Sequence, residues 1–351
     1  MKESLLEFIV CPLCKSRFSL TEISMNHGEI VSASLVCRKK HTFEVTNGVP
    51  RLVIQDRLAE AQKQTQDSYS TQWHRAPEFG YQVGTKEFRI NQFLERFGWR
   101  NLEHAAEFLS TKEFVLDAGT GLGWHANLCA TYTKGEVFGV DISRSIDVAY
   151  KHIGHLPNIH LIQADLTRLP FKKGFFEYII SDGVLHHTPS TQKTFKYLVT
   201  LLKPLGDIAI YVYKKKSPIR EFCDDYIRRF TTELSDEECY KFSEAITKFG
   251  KSLSDANVEI TVPEDMPYLE LKSGRYNLQR FLYWYVFKCF WNDDFDYNTN
   301  VIVNFDWYHP KYAWRQTPEE VSAWFREAGL DIVNFNVDES GISILGKKCV
   351  D

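Results

Sequence analysis

The stretch "VLDAGTGLGWHA" at residues 115–126 decides the fold. An apolar run ends in Asp117, and Gly119, Gly121 and Gly123 follow at alternate positions. Glycine allows a tight turn and a close approach of ligand to backbone, and the next helix offers its free N–H groups. The G-x-G-x-G spacing differs from the G-x-G-x-x-G of dinucleotide-binding proteins. An acid at the strand end also favours a cationic or hydroxyl-rich ligand over a pyrophosphate.

Strands and helices alternate on both sides of this stretch. The strands are "EVFGVDIS", "IHLIQAD", "FEYIISDGVLHH" and "GDIAIYVYK", separated by helical segments such as "SIDVAYKHIGHL" and "TQKTFKYLVTLL". Near the C-terminus, "TPEEVSAWFREAG" has the capping-box pair Thr317 and Glu320, and two closing strands follow it. Such alternation predicts an α/β fold, a Rossmann-like sheet with helices on both faces.

Changes of pattern along the chain divide it into four parts. Residues 1–54 are short β-branched segments with turns, and we predict a small module there, whose possible metal site is described below. Residues 55–110 are polar with helical periodicity. The α/β core is predicted over 111–215 and 316–351, and residues 216–315 form a helical, aromatic-rich insertion before its last helix. Because it interrupts the core so close to the fifth strand, we expect the insertion to shape an acceptor pocket.

Acidic residues follow the next two strands of the predicted sheet. Asp141 lies about twenty residues beyond the glycines, where a carboxylate in this fold can accept both hydroxyls of a ribose. Asp165 and Leu166 end the third strand and are placed to meet an adenine, the acid at its exocyclic amine and the leucine at its ring. Three successive strand ends therefore indicate a site for an adenosine-containing ligand.

These motifs resemble the Rossmann-like S-adenosylmethionine-dependent methyltransferases over about residues 111–215 and 316–348. The resemblance rests on "LDAGTGLG", "GVDIS", "ADLTRLPF", "FEYIISDGVLHH" and "LLKPLGDIAIYVY". Tyr69 and Trp73 in "YSTQW" match a helix that caps the cofactor in related enzymes, although ordinary aromatic packing explains them equally well. The resemblance implies a site for S-adenosylmethionine built from Tyr69, Trp73, Asp117, Gly119, Gly121, Gly123, Asp141, Ile142, Asp165, Leu166, Ser181, Asp182 and Gly183.

A possible metal site lies in the first part of the chain. Cys11 and Cys14 form a C-x-x-C knuckle, and Cys37 is followed by His41, with His27 a less well placed candidate. Zinc accepts three cysteines and one histidine as readily as four cysteines. The pattern resembles the N-terminal zinc ribbon of bacterial ribosomal RNA guanine-N1 methyltransferases. We predict a structural zinc ion at Cys11, Cys14, Cys37 and His41; the alternative is a degenerate ribbon without metal.

Candidate bases and pocket residues lie outside the cofactor motifs. His187, after the fourth strand, could take a proton from a hydroxyl or amine acceptor, although histidines here are often only lining residues. His309 is the alternative base. The segments "GRY" and "NFDWYHPKYAW" supply further pocket candidates, namely Arg275, Tyr276, Asp306, Trp307, Tyr308 and Tyr312.

Three functions follow from these patterns. We favour methylation of a small-molecule acceptor on oxygen, nitrogen or carbon, since the net charge of −4 gives no basic surplus for RNA. The alternatives are an RNA base methyltransferase that binds RNA through the ribbon, and a cofactor-binding scaffold without activity. We predict no signal peptide and no membrane span, hence a cytoplasmic protein with reduced thiols.

Overall fold

The computed structural model describes residues 1–349, apart from the side chains of residues 83 and 84. Thirteen strands form an 11-stranded sheet and a two-stranded hairpin within that part of the chain. The strands are β1 Phe18–Asn26, β2 Glu29–Cys37, β3 Thr42–Thr46, β4 Val49–Arg51, β5 Phe114–Ala118, β6 Glu136–Asp141, β7 Ile159–Gln163, β8 Phe176–Asp182, β9 Leu202–Tyr213, β10 Glu259–Val262, β11 Gly274–Asn277, β12 Leu330–Val337 and β13 Gly341–Lys348.

Helices lie before, between and after these strands, and several begin with the caps that the sequence indicates. The capping box of Thr317 and Glu320 is formed at the last one. The helices are α1 Leu5–Phe8, α2 Glu60–Arg75, α3 Val83–Phe97, α4 Leu102–Ser110, α5 Trp124–Tyr132, α6 Ser145–Ile153, α7 Thr191–Leu201, α8 Pro218–Thr231, α9 Asp236–Ala256, α10 Leu278–Tyr285, α11 Tyr297–Tyr308 and α12 Pro318–Glu327.

The main part of the sheet has the predicted α/β architecture. Its order is β7-β6-β5-β8-β9-β13-β12. The first five strands of this order, from β7 to β9, run parallel to one another. Strand β13 is antiparallel to β9, and β12 is antiparallel to β13. The chain order reverses at β5, which lies between β6 and β8. Ligands of open α/β sheets bind in the crevice outside the carboxyl ends of the strands at such a point.

The N-terminal strands continue this sheet instead of forming a separate one. β1 to β4 pair antiparallel in sequence order, and β4 then runs parallel to β7, with Arg51 opposite Gln163. The Leu52 amide donates to the Gln163 carbonyl at 2.7 Å. One apolar core contains Leu5 and Phe43 together with Phe138 of β6. The predicted ribbon module therefore shares both a sheet and an apolar core with the α/β part of the chain.

The insertion is mainly helical, as expected, but one predicted helix is shorter than its pattern. "NLQRFLYWYVFKCFW" is helical only as far as Tyr285, the end of α10. The following segment is held by Asn304 of α11, whose side chain accepts from the Phe290 amide at 2.9 Å and donates to the Phe290 carbonyl at 3.1 Å. Tertiary hydrogen bonds therefore override the local helical pattern here.

Among the described residues, no helix combines the length and the apolar content needed to cross a membrane.

Candidate active site and metal centre

A cavity of about 500 Å³ opens at the carboxyl ends of the parallel strands. Its walls come from the loop after β5, the ends of β6, β7 and β8, one face of α2, and the insertion. Most of the residues predicted from the sequence meet there. Those that line the cavity are Tyr69, Trp73, Gly119, Gly121, Asp141, Ile142, Asp165, Leu166, Asp182, Gly183, His187, Asp306 and Trp307.

The three glycines of the β5 loop have different physical roles. A Cβ atom on Gly121 would come no closer than 3.7 Å to the Trp73 indole, so this glycine faces space. Gly119 has a φ of +90°, and a Cβ there would lie 2.3 Å from Val184. Gly123 has a φ of +88°, begins α5 away from the cavity lining, and a Cβ there would lie 2.6 Å from an Ile153 methyl group. Packing and a positive φ therefore require glycine at positions 119 and 123, and Gly119 also lines the cavity.

Two predicted cofactor residues lie beneath the loop and away from the cavity lining. The Asp117 carboxylate accepts from the Thr120 hydroxyl at 2.6 Å and from the Ala126 amide at 2.9 Å. Its side chain is buried, and burial raises its pKa. The Ser181 hydroxyl donates to the Ala118 carbonyl at 2.7 Å. The structure thus corrects the prediction for Asp117 and Ser181: both fix the shape of the loop from behind.

The two acids at the neighbouring strand ends are held in fixed orientations. Asp141 accepts from the Gly121 amide at 2.9 Å with one oxygen, and from the Ser143 amide at 2.8 Å with the other. Asp165 accepts from the Thr167 amide and hydroxyl, each at 2.8 Å. A carboxylate has about four acceptor sites, so both can accept further hydrogen bonds from a ligand. Burial raises the pKa of Asp141.

Helix α2 covers this part of the cavity, as the resemblance implied for Tyr69 and Trp73. Gln66 donates to the Ile142 carbonyl at 2.7 Å and so ties the helix to the end of β6. Tyr69 and Gln72 donate to one oxygen of Asp306, at 3.2 and 3.3 Å. The buried face of α2 is rich in glutamine, and a search for apolar periodicity misses such a face.

His187 has a defined tautomer. Its Nδ1 lies 2.6 Å from the Tyr312 carbonyl, which can only accept, so Nδ1 carries the proton. Nε2 is buried and has no hydrogen-bond partner among residues 1–349. Burial lowers the pKa of this histidine to about 4, so the ring is neutral at pH 7. The Tyr69 ring packs edge-on against it, with 5.0 Å between centroids. His187 thus lines the cavity, and its unprotonated Nε2 is covered by neighbouring atoms in this structure.

The other predicted base, His309, is not at the cavity. Its Nδ1 is 2.9 Å from the Ser68 hydroxyl, and its Nε2 is 3.2 Å from the Leu234 carbonyl. With 1% of its surface exposed and both nitrogens engaged, it is a packing residue between α2 and α11. The expectation of a second base at this position is therefore wrong.

Four further pocket candidates also lie outside the cavity lining. Tyr308 is buried and donates to the Lys288 carbonyl at 2.7 Å. The Tyr312 carbonyl only orients His187. Arg275 is exposed and pairs with Glu259 in the β10–β11 hairpin. Tyr276 donates to the Lys272 carbonyl at 2.8 Å on the same hairpin. These residues depend on the path of the insertion, which local pattern does not determine.

Two cations that reach the cavity from α3, Arg89 and Arg96, were not predicted from the sequence. Arg96 lies 2.5 Å from Asp182 and 3.5 Å above the Tyr211 ring, and His125 lies 3.2 Å from the other Asp182 oxygen. The Arg96 charge holds the pKa of Asp182 well below its usual range against the effect of burial. Arg89, one further residue of the lining, lies 5.1 Å over the Trp124 ring. Their seven-residue spacing on α3 is the signal that could have placed them on one face.

The four predicted metal ligands meet at one point. The ligand atoms of Cys11, Cys14, Cys37 and His41 all lie within 4.8 Å of one another. The Cys37 sulfur is 3.5 Å from that of Cys14 and 3.3 Å from Nδ1 of His41. With bonds of about 2.3 Å to sulfur and 2.0–2.1 Å to nitrogen, a tetrahedral zinc ion separates its ligand atoms by roughly 3.5–3.8 Å. The cluster has the size that a zinc ion requires.

The backbone explains why the fourth ligand is His41. Lys40 adopts a left-handed turn with a φ of +62°, and the Cys37 amide donates to the His41 carbonyl at 3.0 Å. This turn directs the imidazole, one residue beyond the usual cysteine position, to the other ligands. His27, the weaker candidate, is exposed at the β1–β2 turn and is not in the cluster.

Comparisons with known families match two separate parts of the chain. Residues 115–206 match the family described as "Methyltransferase domain". Residues 2–48 match the family described as "Trm112p-like protein". The first match contains the glycine loop, both strand-end acids and His187, and the second contains the four candidate metal ligands.

Curated relatives resemble only part of the chain. Demethylmenaquinone methyltransferase of Staphylococcus haemolyticus is 35% identical over 36% of this chain and 55% of its own length. tRNA U34 carboxymethyltransferase of Pseudoalteromonas atlantica is 29% identical over 32% of this chain and 35% of its own length. The chain thus covers about a third to a half of these two relatives.

A solved structure can be compared over most of the chain. Magnesium protoporphyrin IX methyltransferase of Synechocystis PCC 6803 aligns with a TM-score of 0.45 and 11% identity, covering 83% of this chain and 99% of that one. The strand order described above and the two family matches agree with one another. Residues 115–206 are therefore assigned to the methyltransferase domain family, and residues 2–48 to the Trm112p-like family.

Proposed function

We propose that the chain transfers a methyl group from S-adenosylmethionine to a small-molecule acceptor, on oxygen, nitrogen or carbon. The observation that carries this proposal is one continuous cavity of about 500 Å³, within the range typical of small-molecule sites. It joins the glycine loop and the strand-end acids to a second region lined by the insertion. A cofactor and an acceptor can therefore meet in one enclosed space.

The residues around the glycine loop fit the parts of this cofactor. Asp141 would hold the ribose hydroxyls, and Asp165 with Leu166 would hold the adenine. Arg89 is a cation suited to the carboxylate of the amino-acid part. When bound, S-adenosylmethionine supplies an electrophilic methyl group on a sulfonium for in-line displacement. The protein would have to exclude water and align the acceptor, and α2 and the insertion supply walls of the cavity that could do so.

His187 is the candidate base for an acceptor that carries a proton. As the acceptor atom bonds to the methyl carbon and the bond from that carbon to sulfur breaks, the acceptor proton would pass to Nε2. The hydrogen bond from Nδ1 to the Tyr312 carbonyl fixes the tautomer that this step needs. A pKa of about 4 keeps Nε2 free of a proton at neutral pH.

Replacement of His187 by alanine should slow turnover by about 10² to 10⁴, as for removal of a general base. Cofactor affinity should stay within a few-fold, because His187 lies beyond the strand-end acids. The measurement is release of S-adenosylhomocysteine with an acceptor found in a metabolite panel, beside calorimetry with S-adenosylmethionine. A matched control is His309→Ala, a buried histidine away from the cavity. Unchanged turnover in His187→Ala would remove this residue from the chemistry.

Calorimetry with S-adenosylmethionine tests the cofactor assignment directly. We expect one site per chain, with micromolar or tighter affinity, as for ligands buried in a preformed cavity. Absence of binding would contradict every function that uses this cofactor. Binding without turnover on any acceptor would instead favour the non-catalytic scaffold, which is the third function considered.

An RNA base is the second candidate acceptor, and the Trm112p-like match together with the tRNA-modifying relative favours it. A flipped base would have to enter the cavity beneath α2. One assay with labelled S-adenosylmethionine distinguishes the two candidate acceptors. Total cellular RNA and a metabolite extract are supplied in parallel reactions, and the label transferred to each is measured. Label in RNA that disappears on Asp141→Ala would establish the RNA function.

We also propose that the Cys11, Cys14, Cys37 and His41 cluster holds one structural zinc ion. The ligand distances support this, and so does the donor set, which is closed and leaves no position for substrate. Metal analysis of the gently purified protein should give about one zinc per chain.

A further inference from the structure

Three basic residues of the insertion, which we call the cation cluster, line the cavity: Lys216, Arg220 and Lys288. Arg220 and Lys288 are 1% and 6% exposed. Their charged groups face aromatic rings of the same wall. The Arg220 guanidinium lies 5.3 Å and the Lys288 ammonium 5.0 Å from the Trp307 ring, and the Lys216 ammonium lies 5.2 Å from the Trp284 ring.

Two members of the cation cluster are satisfied by the protein itself. Arg220 pairs with the buried Asp224 and donates to the Tyr283 carbonyl. Lys216 donates to the carbonyls of Glu339 and Ser340, the latter at 2.8 Å. Lys216 has no carboxylate within 4.0 Å among the described residues, and burial lowers the pKa of its ammonium well below the usual lysine value.

Lys288 differs from both. Within residues 1–349, its ammonium has no hydrogen-bond acceptor, and no carboxylate lies within 4.0 Å of it. The acid that acts on it most strongly, Asp306, is already committed to Tyr213 at 2.5 Å and Tyr69 at 3.2 Å. Burial lowers the pKa of Lys288 to about 8, so it is still mainly protonated at pH 7. A buried cation without a partner is costly to the folded state.

An anion that enters the cavity would remove this cost. The carboxylate of the cofactor belongs at the other end, beside the glycine loop, where Arg89 and Arg96 of α3 are the available cations. The cation cluster comes from the insertion, which is the part of the chain that the acceptor must contact. The surrounding rings of Tyr283, Trp284 and Trp307 would cover an apolar or aromatic body.

We propose that the methyl acceptor carries an anionic group, a carboxylate or a phosphate, which Lys288 binds with the help of Lys216 and Arg220. This proposal rests on the proposed methyltransferase function and narrows its acceptor to small anionic molecules with an apolar body. An RNA base would bring its phosphates to the outer surface and would leave the buried Lys288 without a partner.

Binding of three small probes tests the proposal. Benzoate, phenyl phosphate and the neutral benzyl alcohol are titrated into protein saturated with S-adenosylhomocysteine, so that the cofactor part of the cavity is filled. We expect at least one of the two anions to bind, and benzyl alcohol to bind about tenfold more weakly or not at all. The stronger of the two anions identifies carboxylate or phosphate as the group that is recognised.

Variants of Lys288 decide whether this residue is responsible. Lys288→Met should weaken anion binding about tenfold or more, and Lys288→Arg should retain it within a few-fold, because a charged hydrogen bond is lost in the first and kept in the second. Lys272→Met, on the exposed hairpin of the same insertion, is the matched control and should change nothing. The thermal midpoint of Lys288→Met should not fall, because an unpaired buried charge is removed.

The outcomes separate the two proposals. If S-adenosylhomocysteine fails to bind the wild-type protein, the methyltransferase function itself fails. If it binds, but neither anion does, or benzyl alcohol binds as tightly as both, the anionic acceptor is excluded. Unchanged anion binding in Lys288→Met also overturns the proposal, whatever the cofactor affinity.

Discussion

Replacement of Asp141 by alanine should reduce affinity for S-adenosylmethionine by about 10² to 10⁴. Two hydrogen bonds between a carboxylate and the ribose hydroxyls would be lost, each contributing about 1.5–3 kcal/mol. The change also removes the acceptor that holds the Gly121 amide at 2.9 Å, while the Gly119 and Thr120 amides still donate to the Val140 carbonyl of β6. Calorimetry on the purified variant measures the effect.

The control for this prediction has to separate the ribose contact from a general loss of structure. Asp165→Asn is suitable, since it keeps an acceptor and the shape of a strand-end side chain and should lower affinity by only about tenfold. Circular dichroism and the thermal midpoint of Asp141→Ala should stay close to those of the wild type. Retained micromolar affinity in Asp141→Ala would show that another residue binds the ribose.

Local sequence pattern was sufficient to predict those parts of the fold that depend on residues close together in the chain. The strand that ends at Asp141, the capping box of Thr317 and Glu320, and the Cys-x-x-Cys knuckle each require residue types at fixed short spacings. The parallel order of the sheet follows from such units, because right-handed crossovers leave few alternatives. The positions of the strand-end acids were therefore predictable.

The physical reason why a given residue type is required at its position was less predictable. Gly119 looks like a ligand contact, but its missing Cβ makes room for Val184, a residue 65 positions later in the chain. Asp117 looks like a cofactor ligand, but it supports Thr120 from below. In both cases the sequence specifies a backbone shape, and only the packing shows which neighbour requires it.

Residues of the acceptor region could not be placed from sequence at all. Lys288 follows a helix that ends six residues earlier than its pattern of aromatic residues suggests, because Asn304 holds Phe290 outside the helix. Arg89 and Arg96 depend on how α3 packs against β12 and β13. The prediction that His309 faces the cavity failed for the same reason. The orientation of its side chain depends on a contact with α2, about 240 residues earlier in the chain.

Removal of zinc should destabilise the whole chain and not the ribbon alone. The strand β4 of the ribbon joins β7 of the main sheet, and the amide of Val10, next to Cys11, donates to the Pro170 carbonyl at 2.8 Å. The Lys15 ammonium, next to Cys14, donates to the Leu169 carbonyl at 2.8 Å. Val10, which precedes Cys11, and Lys15, which follows Cys14, are thus both fixed to the loop that follows Asp165. Loosening of the metal cluster would release contacts beneath the adenine end of the cofactor site.

The expected result of chelation, or of Cys37→Ser, is a single unfolding transition shifted down by about 10 °C or more. Structural zinc contributes on the order of 10 kcal/mol in small zinc-binding domains, and about 1 kcal/mol shifts the midpoint of a domain of 150–250 residues by roughly 2–4 °C. Differential scanning calorimetry measures the transition, and added zinc should restore it after chelation. Cys223→Ser changes a partly exposed cysteine of α8 away from the cluster, and it should leave the temperature of the unfolding transition unchanged. Two separate transitions, with the larger at its original temperature, would show instead that the ribbon and the α/β core unfold independently, although their strands share one sheet.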